Sequence, residues 1–323
     1  MKQLLMMRGA KKLMENNTAV KPGEKVLIIT DPEMVSIAQA LAIMAYAEGA
    51  ETVMAIMPPR EFDSQEPPET VAAAMKMADV IFTPVTRSIT HTQALHEGVA
   101  AGARAIVMTA FTEDLLISGG IEADFQAQKP ICEKVAQLLE EAKGARLTSD
   151  AGTDLTMNLT GRKGSPLTCV ADKPGLFSPM PNIEAAISPV EYESEGTIVT
   201  DASIPYWGIG LLEEPITLTV KGGLITDIRG GKQAQELKRV FERPGDPNVY
   251  NIAELGIQLN PKCRMCGIML EDQGVFGCVH IGIGSNTSFG GKIQAAFHFD
   301  VIMWYPKLEL DGKVILEKGQ LLI

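Results

Sequence analysis

The chain has 323 residues, 46% hydrophobic and 21% charged, which suits a folded protein of two ordinary domains and excludes long disordered stretches. A net charge of −11 excludes nucleic acid as the partner, because phosphate binding draws on clustered Lys and Arg, and leaves a small molecule or short peptide as the expected substrate. Five cysteines, an odd number, point to reduced thiols in a cytoplasmic protein rather than to a disulfide framework.

The first segment, "MKQLLMMRGAKKLMENN", reads as an amphipathic helix, since Arg8, Lys11 and Lys12 interrupt the apolar run before a signal core forms. No apolar stretch approaches the roughly 20 residues that a bilayer crossing needs, so no membrane partner is expected. From Lys25 to about Lys143, short β-branched runs ("KVLIIT", "ETVMAIM", "DVIFTPV", "ARAIVMT") alternate with helical patterns such as "PEMVSIAQALAIMAYAEGA". Continuous apolar strands between helices predict a parallel sheet covered on both faces, hence a doubly wound α/β domain over residues 1–145. Ligands bind such sheets at the carboxyl ends of the strands. Those ends hold neither G-x-G-x-x-G nor G-x-x-x-x-G-K-[ST], which argues against dinucleotide and P-loop nucleotide binding. They do hold His91, in "RSITHTQA", which reads either as an acid or base of the reaction or as a surface histidine at a helix N-terminus between Thr90 and Thr92.

Residues 146–323 change pattern and predict a β-rich α+β domain. "ARLTSDAGTDLTMNLTGRK", "GTIVTDASIP" and "ITLTVKGGLITDIRGG" read as strands joined by tight turns, the last a hairpin around "KGG". "KQAQELKRVFER" is a helix, and "PKLELDGKVILEKGQLLI" a hairpin with a "DG" turn. Three strand-like runs carry polar groups on one face. Alternation puts Glu254, Gly256 and Gln258 together, then Cys278, His280, Gly282 and Gly284, then His298 and Asp300, with apolar residues behind each set. The glycines beside His280 are expected to leave space for a ligand. Two imidazoles and a carboxylate suffice to hold a catalytic divalent metal with an open position, and further carboxylates allow a second.

"CRMCGIMLEDQGVFGCVH" offers a competing site, because Cys263, Cys266, Cys278 and His280 match the ligand number of a closed zinc site. The alternation instead assigns His280 to the strand cluster, with Cys278 on its face, and leaves Cys263 and Cys266 as reduced thiols in a turn.

Taken in order, "AGTDLTMNLTGR", "PNIEAAISPVEYESEGTIVTDASI", "NIAELGIQLNP", "VHIGIG" and "HFD" resemble the aminopeptidase T and aminopeptidase S family of metallopeptidases, most strongly from residue 146 onward. The resemblance implies metal ligands at Glu184, Glu254, His280, His298 and Asp300, with zinc or cobalt as one or two bound ions. It also implies hydrolysis of an N-terminal aminoacyl amide by metal-activated water, with Glu184 or Glu254 handling the proton. The peptidases carry a tyrosine seven positions after the first metal-binding histidine; here that position is Thr287. A related branch, the 2,5-dihydroxypyridine dioxygenases, implies the alternative: ring cleavage at a single Fe(II) held by His280, His298 and Asp300, with His91 as acid or base. By analogy with the family a homodimer is expected.

Overall fold

The computed structural model describes residues 1–323 and divides them into two compact units, Met1–Lys129 with Leu167–Asn182, and Pro130–Pro166 with Ile183–Ile323. The chain thus passes between them three times rather than once at residue 145.

In the first unit the predicted strands form at Lys25–Thr30, Glu51–Ile56, Val80–Val85 and Arg104–Thr109. All pair in parallel, with Glu51–Ile56 at one edge, then Lys25–Thr30, Val80–Val85 and Arg104–Thr109. Every residue of the last two is buried, as central strands of a sheet covered on both faces require, while edge strand Glu51–Ile56 is half exposed. A fifth strand, Phe177–Pro179, adds in parallel beside Arg104–Thr109. Sequence reasoning misses it because three residues that include a proline carry no period. The expected N-terminal helix spans Lys2–Lys12, and Val35–Ala47 is the helix following the first strand. No helix is long and apolar enough to cross a membrane.

The second unit is built on antiparallel sheets, and its expected hairpins form. Ile216–Lys221 pairs with Leu224–Arg229 across Gly222 and Gly223, at φ +54° and +69°. Positive φ at both turn positions twists the strands together, which is why glycine stands there. Lys307–Leu310 pairs with Lys313–Glu317 across Asp311 and Gly312 in the same way. Lys232–Glu242 is the helix.

The other sheet matters for chemistry. Its neighbours run Ser203–Ile204, His298–Met303, Val279–Gly284, Ile252–Gln258 and Glu184–Ile187, all antiparallel. Alternation sends Phe299, Val301, Ile281, Ile283, Leu255 and Ile257 to one face, where all are buried. Each such side chain contributes about 1.5–3 kcal/mol when fully buried. The opposite face is left for polar groups.

Candidate metal centre

Register decides which polar groups meet. Glu254 stands opposite Gly282, and Gly282 opposite Asp300. One step along, Gly256 faces His280; on the other side, Gly284 faces His298. At the far end, Gln258 faces Glu184. Glu254, His280 and His298 therefore each have a glycine across the strand pair. A register shift between Ile252 and Glu254 makes Ala253 the extra residue of a bulge, which turns Glu254 toward the polar face while Ile252 stays opposite Ile283.

The glycines do not leave the vacancy that the sequence suggested. A Cβ on Gly256 would fall on the His280 ring, and one on Gly282 would stand 2.7 Å from the Glu254 Cβ and 2.8 Å from His298 Cε1. Their space is filled by the candidate ligands themselves. Gly284 is required by its backbone, at φ +104°.

All five candidate ligands of this sheet converge. His298 Nε2 lies 3.1 Å from Glu254 Oε2 and 3.4 Å from Asp300 Oδ1. His280 Nε2 lies 3.7 Å from Glu184 Oε2, 3.8 Å from Glu254 Oε1 and 3.9 Å from Asp300 Oδ1. Ligand atoms held at right angles by bonds of about 2.1 Å are about 3 Å apart, so these separations suit donors around an ion. Two overlapping groups share Glu254: Glu184, Glu254 and His280, and Glu254, His298 and Asp300. The polar atoms give an independent test. Glu254 Oε1 and Asp300 Oδ1 are buried without a hydrogen-bond partner, and both face imidazole nitrogens. A buried carboxylate oxygen left bare is costly, and a cation offsets that cost. The residues fit a divalent metal.

The imidazoles are oriented for ligation. His298 Nδ1 donates to the Ser285 carbonyl at 2.7 Å, which leaves Nε2 its lone pair. His280 Nδ1 lies 3.3 Å from Gln258 Nε2, and Gln258 Oε1 is buried without a hydrogen-bond partner. Ligation through Nε2 needs Nδ1 to donate, which Gln258 accommodates when its amide is turned to bring Oε1 to Nδ1. In the metal-free protein burial works against charge on His280, yet the charges of Asp300, Glu184 and Glu254 outweigh it and raise its pKa to about 9. Burial likewise opposes charge on His298, but the adjacent Asp300 and Glu254 carboxylates hold it well above the usual range. For Asp300 the charges on His280 and His298 prevail over burial and lower the pKa.

Two residues that sequence reasoning missed complete the surroundings of Asp300. Tyr206 Oη donates to Oδ2 at 2.8 Å, and the Gln273 amide donates to the same oxygen. Both lie outside the strands, where no periodicity marks them.

His91 is in the first unit, exposed, in the turn before helix Gln93–Ala100, and belongs to neither group. The cysteines form no zinc knuckle: none of the five is in a disulfide and none joins a candidate metal group. Cys278 packs with Cys263, Ala202, Val275 and Ile302, burial pushes its thiol up to about 12, and it joins neither candidate metal group.

A family model described as NicX, 2,5-dihydroxypyridine 5,6-dioxygenase, matches residues 7–323. A curated 2,5-dihydroxypyridine 5,6-dioxygenase from Pseudomonas putida is 29% identical over 194 residues, 56% of this chain and 55% of that protein. The match spans about half the length of that relative. Among solved structures, a 2,5-dihydroxypyridine dioxygenase from Pseudomonas putida superposes with a TM-score of 0.85 at 20% identity, over 99% of this chain and 97% of that one. AmpT from Thermus thermophilus superposes with a TM-score of 0.73 at 15% identity, over the full length of both. At these identities the two structures show a shared fold alone. The family match overturns the expected metallo-aminopeptidase. The two branches share a fold, and the donor set read from the sequence suits both chemistries.

Proposed function

We propose the function from the family to which this chain belongs, that of the 2,5-dihydroxypyridine 5,6-dioxygenases: Fe(II)-dependent cleavage of a dihydroxypyridine-like aromatic ring by O₂. The match over residues 7–323 carries this reading. Two imidazoles and an aspartate in one buried cluster support it, being the donor set of mononuclear iron oxygenases. Thr287, standing where the peptidases carry a tyrosine, supports it as well.

In this reading His280, His298 and Asp300 hold the iron through two Nε2 atoms and Oδ1. When bound, the iron supplies positions at which a chelating substrate and O₂ are brought together. Ser285 fixes the tautomer of His298, so that its protonated nitrogen points away from the site. Glu184 and Glu254, buried on the same face and facing His280 Nε2, are placed to take the proton that a substrate hydroxyl gives up. His91, exposed in the first unit, is the other candidate acid or base. The reaction breaks one ring carbon–carbon bond and takes both oxygen atoms into the product, so it consumes one O₂ per ring. The test is anaerobic reconstitution with Fe(II), followed by O₂ uptake with 2,5-dihydroxypyridine. Stoichiometric uptake with loss of the aromatic absorbance is expected, and an iron-loaded protein inert to the compound would refute the assignment.

A further inference from the structure

We infer that Tyr206 and Gln273 are positioning residues for Asp300, which confine it to metal ligation through Oδ1 alone. This rests on the metal-binding part of the reading above and not on ring cleavage. The two oxygens of Asp300 are treated differently by the fold. Oδ2 accepts from the Tyr206 hydroxyl at 2.8 Å and from the Gln273 amide, so both its lone pairs are engaged. Oδ1 is buried, has no hydrogen-bond partner, and lies 3.4 Å from His298 Nε2 and 3.9 Å from His280 Nε2. The two donors also support each other, because Gln273 Nε2 stands 2.8 Å from Tyr206 Oη.

Each donor is itself held. The Tyr206 ring packs edge-on to Phe299, with centroids 6.0 Å apart, and against Trp207 at 5.7 Å. Gln273 directly follows the short helix Met269–Asp272. That helix is pinned by the buried Asp272 carboxylate, which accepts from Cys266 N at 2.6 Å, from Gly267 N at 2.9 Å and from Ser203 Oγ at 2.6 Å. Ser203 in turn pairs with Ile302, on the strand that carries Asp300. The segment "CRMCGIMLEDQ" is thereby tied to the Asp300 strand, and what it delivers to the site is an amide rather than thiolates. A carboxylate bound through one oxygen occupies one coordination position instead of two, which keeps a position open.

The test uses full-length protein labelled with carboxyl-¹³C aspartate, loaded with Zn²⁺, and read as the infrared difference between loaded and metal-free forms. A wide splitting between antisymmetric and symmetric carboxylate stretches reports one-oxygen ligation, and a narrow splitting two-oxygen ligation. The parent is expected to show the wide splitting, and the double variant Tyr206→Phe, Gln273→Met the narrow one. A narrow splitting in the parent, or a double variant indistinguishable from it, would overturn the inference. The single variants guard against a double variant that fails to fold. Tyr206→Phe keeps the ring packing, and each frees one lone pair of Oδ2, so each is expected to populate the two-oxygen form in part; no change in either also overturns it. If the splitting shifts while the iron-loaded parent consumes no O₂, ring cleavage falls and the positioning role stands. The converse result removes only the positioning role.

Discussion

Gly256 has no room for a methyl group, because the His280 ring lies against its backbone. Gly256→Ala is therefore expected to displace the imidazole and to cost about 1–3 kcal/mol, as over-packing does in buried sites. Chemical denaturation of the metal-free protein checks the stability, and metal titration checks the loss of the ligand. Removing a ligand outright acts on the metal more than on the fold. His298→Ala and Asp300→Ala are each expected to weaken Fe(II) or Zn²⁺ binding by roughly 100-fold or more, since losing even an outer-shell partner costs about 10–100-fold. Competition titration with a chelator of known affinity measures this, and parent-like affinity in either variant would remove that residue from the ligand set.

Among the elements, the loop between the two histidine strands is clamped by the Glu191 carboxylate. Glu191 accepts from Asn286 Nδ2 at 3.0 Å and from Lys292 N at 2.8 Å, and pairs with Arg162. The loop it clamps includes Ser285, whose carbonyl orients His298. Burial alone would raise the Glu191 pKa, but these donors and its own backbone N–H bring it down to about 2. A carboxyl lowered on folding stabilises the fold above its unfolded pKa, near 4.3, and that stabilisation is lost as pH falls toward 2. Glu191→Ala is expected to lose about 2–3 kcal/mol at neutral pH, the scale of hydrogen bonds to a charged group, and to show a shallower acid limb in unfolding. Much of this sheet was legible in advance: period two identified the faces of Glu254, His280 and Asp300, and the ordered motifs added Glu184. The bulge at Ala253, the Phe177–Pro179 strand and the Tyr206–Gln273 pair were not legible. Each depends on which strands neighbour one another, and a single sequence records periodicity along a strand but not register across strands.

In the whole molecule the site is a charge balance. Three carboxylates with two imidazolium groups carry a net −1, and the same carboxylates with neutral imidazoles and a divalent ion also carry −1. Metal uptake at pH 7 is therefore expected to release about two protons per ion, as ligating imidazoles must be neutral. Titration calorimetry in buffers of different ionisation enthalpy measures that number, and zero release would contradict the proposed ligation. The pH dependence of stability follows with opposite signs in the two forms. Without metal, protonated His280 contributes stability that is full below its unfolded pKa of about 6.5 and is lost as pH rises through about 9. With metal, rising pH over that range instead favours the neutral, ligating imidazole. Thermal melts of chelator-treated and loaded protein from pH 6 to 9.5 are expected to diverge with increasing pH.

Ring-cleaving oxygenation and hydrolysis at this buried cluster would differ in the metal held and in the use of O₂. The most direct measurement is the metal content of anaerobically purified protein, followed by O₂ uptake with 2,5-dihydroxypyridine in the same sample. The account predicts one iron per chain and one O₂ consumed per ring opened, with activity abolished by His298→Ala. Two zinc or cobalt ions per chain, with no O₂ uptake from the iron-loaded protein and with release of an amine from an aminoacyl amide, would contradict it.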